Sequence, residues 1–209
     1  MSMELPKQPT HPQLTALLRS LMKHCWDGNP QSRPETSALL DILRSYYLMF
    51  TWHRVGFHVY EAAAELFVKS KKTLVGDGTY IGFVNAVLDR VPNTSMAEED
   101  ASSFGYPIYA QTGPLVTERV TDIMPGDIIT IRDANLKGRR VIRTYRQTAG
   151  VGTPVVAVIM GYEREKSRVK AYQANGRVGD GVCHTINPAS TILMRPFSLS
   201  RMSVTGWGI

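Results

Sequence analysis

Two cysteine–histidine neighbours are the first residues in this 209-residue sequence whose types could do chemistry. A thiolate beside an imidazole makes a nucleophile–base pair, and Cys183-His184 and His24-Cys25 both supply the types. Cys183-His184 falls in an extended stretch, where consecutive side chains point to opposite faces and cannot share a hydrogen bond. His24-Cys25 sits on a helical stripe with its cysteine on the apolar side, which reads as core. His53 and His58 have no second ligand cluster, so no metal and no cofactor is expected. Gly150-Val151-Gly152-Thr153-Pro154 lacks the lysine–serine/threonine ending and the helix of a phosphate loop, and reads as a hairpin turn. Two cysteines are too few for a disulfide framework, and both read as small buried apolar residues.

Charge supplies the second kind of chemistry. Lys+Arg 24 exceed Asp+Glu 18, and the excess is local: residues 126–177 carry 11 basic against 4 acidic, whereas 76–125 carry 2 against 7. Arg139, Arg140, Arg143 and Arg146 on one extended run, with Arg164, Lys166, Arg168 and Lys170 on another, form a candidate basic face across neighbouring strands. Such a face suits an acidic protein surface or an anionic lipid head group. The plainer account is a solvated face whose charges guard a sheet edge. Tyr145, Tyr162 and Tyr172 interleave with these bases, yet no recognition motif accompanies them, and nucleic-acid binding is not expected.

These residues need elements to hold them. Leu14, Leu17, Leu18, Leu21, Met22 and Cys25 recur at helical spacing, and the pattern stops at Asp27-Gly28-Asn29-Pro30. Ser32-Arg33-Pro34-Glu35 has the spacing of a capping box for a second helix carrying Leu39, Leu40, Ile42, Leu43, Tyr46 and Tyr47. A third helix is expected over roughly 57–70, and a fourth over 80–90 with Thr79 or Asp77 as its cap. A polar loop follows at about 92–105. From Ile128 the period turns extended, with strands expected at 126–132, 139–147, 154–162, 167–173 and 190–195. Helices first and strands later make an α+β order with an antiparallel sheet. There is no 18-residue apolar run, and the opening Met1–Gln13 is too polar for a signal segment, so a cytoplasmic protein is expected.

Two stretches resemble known families. Leu21-Met22-Lys23-His24-Cys25-Trp26-Asp27-Gly28-Asn29-Pro30-Gln31-Ser32-Arg33-Pro34 resembles the last two helices of tyrosine-kinase-like protein kinase domains. The glycine loop, the lysine and the catalytic and metal-binding aspartates of a kinase are missing, so ATP and magnesium have nothing to position them. Residues 1–50 therefore read as a helical remnant, 51–75 as a connecting helix and 76–209 as the main domain. Within that domain, Gly78-Thr79-Tyr80-Ile81-Gly82-Phe83-Val84-Asn85-Ala86-Val87 resembles the helix start of NlpC-type papain-like hydrolases. Met124-Pro125-Gly126-Asp127-Ile128-Ile129 resembles that family's turn into its first central strand, and Val155-Val156-Ala157-Val158-Ile159-Met160-Gly161 the strand that opens on the catalytic histidine. The resemblance puts Tyr80 in the nucleophile's place and Val155 in the base's. A thiol at a helix N-terminus becomes a thiolate through the dipole and a neighbouring imidazole; a phenol with an ordinary pKa of about 10 beside a valine does not.

Gly76-Asp77-Gly78-Thr79-Tyr80-Ile81-Gly82-Phe83-Val84, Pro125-Gly126-Asp127-Ile128-Ile129, Asp133-Ala134-Asn135-Leu136-Lys137-Gly138 and Lys166-Ser167-Arg168-Val169-Lys170-Ala171-Tyr172-Gln173-Ala174-Asn175 look closest to one branch of this architecture. That branch is the cysteine-proteinase-fold domain at the C-terminus of fungal cortical-actin-patch adaptors that bind type I myosin. The resemblance implies a non-catalytic interaction module with a protein partner, located at cortical actin patches. The alternatives are an active hydrolase with an unrecognised residue set and the remnant of a truncated or fused kinase.

Overall fold

In the computed structural model the described residues are 11–92, 94, 104–113, 115–140, 143–163, 168–173, 182–186 and 190–195. The architecture is α+β. Helix α1 (His11–Cys25) ends at the expected turn, and α2 (Thr36–Thr51) runs through a π-helical turn, Trp52–Gly56, into α3 (Phe57–Ser70). Helix α4 (Tyr80–Leu88) follows a tight loop. Strands β1 (Tyr106–Thr112), β2 (Leu115–Arg119), β3 (Ile128–Ile131), β6 (Val155–Glu163), β7 (Arg168–Gln173), β8 (Val182–Ile186) and β9 (Ser190–Arg195) form an antiparallel sheet ordered β2-β1-β9-β3-β6-β7-β8. Among the described residues, strands β4 (Ala134–Arg140) and β5 (Arg143–Ala149) pair only with each other.

Side-chain alternation along the central strands builds two cores. Ile128, Val156 and Val158 meet α3 and α4 through Val59, Ala63, Leu66, Phe83, Val84 and Val87. Ile129, Ile131, Ala157 and Ile159 face the other way, onto Leu48 of α2, Ile108 of β1, Val169 and Ala171. Leu48, Val55, Val59, Ala63 and Leu66 are each at most 3% exposed, so the helical stretch 48–66 shares its core with the sheet. Its residues are as much part of the domain as the strands are.

Several local expectations are corrected. The capping box does not form, because Arg33 precedes a proline and is extended (φ −77°, ψ 128°). Helix α2 starts only at Thr36, with Glu35 as a cap that makes no side-chain hydrogen bond. Strands begin at Tyr106 rather than Ile128; Pro107 masks β1, and the pairing with β9 shifts register between Pro107 and Tyr109 to accommodate it. The run 139–147 is two strands, with Arg139 and Arg140 on β4 and Arg143 and Arg146 on β5. Nothing in Arg140-Val141-Ile142-Arg143 carries the glycine, proline or asparagine of a turn. Gly150–Pro154 is not a hairpin turn either, since it passes from β5 in the small sheet to β6 in the large one.

Candidate functional site

The loop before α4 is closed by an interlock of side-chain and backbone hydrogen bonds. Oδ1 of Asp77 accepts the Thr79 amide (2.8 Å) and the Thr79 hydroxyl (2.7 Å). The same Thr79 oxygen accepts the Gly82 amide at 2.9 Å, an N-cap that satisfies one orphan donor of the helix. A Cβ at position 82 would overlap Oδ1 of Asp77, so only glycine leaves room for this interlock. Hydrogen bonds from Thr79 hold the Asp77 carboxyl below its ordinary value. Its folded pKa is depressed, so its contribution to stability is complete above the unfolded-state pKa of about 3.9 and is lost as pH falls through the folded value. Asp77→Asn should therefore melt below the native protein at neutral pH, and the gap should close as pH falls through the carboxylate range. Melting temperatures at several pH values check it; a constant gap contradicts it.

Tyr80, the residue in the nucleophile's place, opens α4 half-buried and packs on the core that α3 and α4 share. Val155 opens β6 opposite Ile131 and packs on the other core. The two side chains thus pack on different cores. The β6 residues on α4's side are Val156 and Val158, both fully buried. Pro154, Val155 and Val156 all lack a proton acceptor, so a one-residue shift in the match supplies no base.

The second interlock ties the helices to the turn before β3. Trp52, 1% exposed, donates its indole N–H to the Pro125 carbonyl at 2.6 Å. Gly126 is left-handed (φ 88°), and a Cβ there would overlap the Gly56 carbonyl oxygen. The buried Asp127 carboxylate accepts the Met124 amide at 2.7 Å, and backbone bonds from Gly126 to Ile159 and from Ile159 to Asp127, both 2.8 Å, fasten the turn to β6. In the sequence alone, residues 52 and 56 read only as helix. A glycine four places after a tryptophan in a helical stretch is the signal that marks the close approach.

The other chemistry-bearing residues disperse. His24 is exposed with Nδ1 2.7 Å from the Ser20 carbonyl, and Cys25 is half-buried. The His53 ring meets Trp52 edge-on at 4.9 Å, while His58 pairs with Glu61 at 3.4 Å. Among the described residues no group of three or more His, Cys, Asp and Glu could hold a metal ion. Cys183 and His184 lie in register with Tyr172 and Ala171 on β8, an edge strand of the large sheet. Arg33 donates Nε to the Asp27 carbonyl at 3.0 Å, a contact within its own loop, and Trp26 is 77% exposed. A shallow cleft of about 440 Å³ lies along α3, lined by Arg54, His58, Ala62, Glu65, Arg90 and Val91. Arg90 already pairs with Glu65 there at 3.3 Å.

The basic residues fall on separate sheets. Arg139, Arg140, Arg143 and Arg146 belong to the β4–β5 ribbon, whereas Arg168 and Lys170 belong to β7. Arg164 and Lys166 lie outside the described residues. Lys170 pairs with Glu163. In the ribbon Lys137 stands directly opposite Arg146, and Arg140 opposite Arg143.

A sequence model of the AIM3/BBC1 cysteine proteinase-fold domain matches residues 36–202. The chain belongs to the AIM3/BBC1 cysteine proteinase-fold family. The match opens on α2, in keeping with a core that already includes Leu48. A curated relative, the SH3 domain-containing protein C23A1.17 of Schizosaccharomyces pombe, is 26% identical over 102 residues, which is 48% of this chain and 6% of the relative. The chain thus spans a small fraction of that protein's length. No solved structure matches. Among the described residues no helix is long and apolar enough to cross a membrane.

Proposed function

We propose that this AIM3/BBC1 domain is a non-catalytic protein-interaction module of the cortical actin and endocytic machinery, working in the cytoplasm on an acidic partner surface. The observation that carries this reading is the α4 N-terminus: the position that in papain-like hydrolases holds a thiolate holds Tyr80, and the start of β6 offers only Pro154, Val155 and Val156. An SH3 domain in the similar fission-yeast protein supports an adaptor context, because such domains bind proline-rich peptides. The acidic partner is supported by the β4–β5 ribbon, whose backbone register sets Lys137 opposite Arg146 and Arg140 opposite Arg143. Directly opposed like charges destabilise a strand pair, and an acidic surface would relieve that repulsion. An anionic lipid head group would do so as well, which makes vesicle sedimentation a useful companion measurement.

Affinity capture from fungal extract with the 209-residue chain as bait tests the reading. Recovery of actin- or myosin-associated proteins, reduced when Arg140 and Arg143 are changed to Glu, is the expected result. Recovery of chaperones alone would count against it.

A further inference from the structure

Helix α2 buries only Leu48 and Thr51, both near its end. Its outer side carries Leu40 (54% exposed), Leu43 (40%), Tyr47 (57%) and Phe50 (38%). The steps between them are three, four and three residues, the a/d spacing of a coiled-coil seam. Three helical turns of solvent-facing leucine and aromatic side chains are more than an isolated surface helix needs. The ends of the seam are charged with opposite signs. At one end the Arg54 guanidinium lies 5.8 Å from the centre of the Phe50 ring; at the other, the exposed Glu35 carboxylate accepts the Ser37 hydroxyl at 3.4 Å. Between them Asp41 and Arg44 neutralise each other at 3.4 Å within the helix.

These features are self-complementary in one orientation. With two α2 helices antiparallel about a two-fold axis between residues 43 and 47, Leu40 meets Phe50 of the other copy and Leu43 meets Tyr47. Each layer then pairs a branched aliphatic side chain with an aromatic one. The same register sets Arg54 beside Glu35 of the other copy at both ends. A parallel pairing would stack Arg54 on Arg54 and Glu35 on Glu35, which repel. A two-fold interface uses the same patch twice, as this seam does.

We propose that a second copy of this chain covers the α2 seam, giving a reversible antiparallel dimer through Leu40, Leu43, Tyr47 and Phe50, oriented by Glu35 and Arg54. The contact is small, so association is concentration-dependent in the micromolar range. Because the seam lies away from the β4–β5 ribbon in sequence and on a different element, this inference stands independently of the partner proposed above.

Sedimentation equilibrium on the 209-residue chain over a wide concentration range tests it, with far-ultraviolet circular dichroism confirming that each variant folds. The native chain is expected to approach twice its 23.3 kDa mass at high concentration. Leu43→Glu with Tyr47→Glu should leave a folded monomer, the substituted side chains being solvent-facing. Arg54→Glu alone should weaken the dimer about ten-fold, and adding Glu35→Arg should restore it to within about three-fold. A native chain that stays monomeric, or a dimer that survives the Leu43/Tyr47 pair of changes, would overturn the proposal. Failure of the double charge reversal to restore association would overturn the antiparallel register.

Discussion

Trp52→Ala should cost about 3–5 kcal/mol of folding stability, from the cavity and the lost burial of a large aromatic side chain in a core. The Pro125 carbonyl, now receiving the indole N–H at 2.6 Å in a buried setting, would lose its donor and add about 1–3 kcal/mol. Against a total stability of about 5–15 kcal/mol, that is a loss large enough to leave much of the protein unfolded at physiological temperature. Trp52→Phe separates the two effects: it keeps most of the ring burial and should lose mainly the hydrogen-bond share. Urea titration followed by circular dichroism gives both numbers. The consequence reaches beyond one residue, because Trp52 is where the long helix and the turn before β3 are joined. If the helical stretch and the sheet are one cooperative unit, Trp52→Ala should lower the midpoint of a single transition. Two transitions, with the strands melting as before, would show that the helices are an appendage.

The next largest effect is expected at the same junction. Gly126→Ala places a Cβ at a left-handed residue (φ 88°) and into the Gly56 carbonyl oxygen, a backbone atom that cannot swing aside. Backbone strain of about 1–3 kcal/mol and overpacking of a similar size act together. The turn's other ties, the Asp127 carboxylate on the Met124 amide and the bonds to β6, would have to stretch to relieve the overlap. Thermal denaturation should show a fall in midpoint on the scale of Trp52→Ala. A substitution at Gly113, which is also left-handed (φ 58°) but has open space around its Cβ, is the control: it should bear the strain alone.

What could be read from the residues, and what could not, follows from how local each signal is. The Thr79 cap, the end of α1 and the extent of α3 were legible because a few adjacent residues decide them. So was the bend at Pro125-Gly126-Asp127, where proline and glycine punctuate the chain. The β4–β5 hairpin was not, because its corner at Arg140–Arg143 has strand-like residues instead of turn formers. Strand β1 hid behind Pro107, and the place of β9 between β1 and β3 depends on pairing with partners far away in the chain. At the candidate site, the tyrosine in place of a thiol at position 80 was visible in the motif itself. That Val155 turns away from Tyr80 while Val156 turns toward its core was not, because it depends on the register of β6 against the helices. The seam on α2 is legible as an apolar face, but only burial distinguishes a stripe that is covered from one that is open.

The central claim is that a domain with Tyr80 at the start of α4 and Val155 at the start of β6 does not hydrolyse, and works instead by binding. The most direct measurement incubates the folded chain with a cysteine-directed covalent probe and with peptide and ester substrates, beside its Cys183→Ala variant. The account predicts no turnover above buffer in either. Turnover by the native chain that vanishes in Cys183→Ala would contradict it.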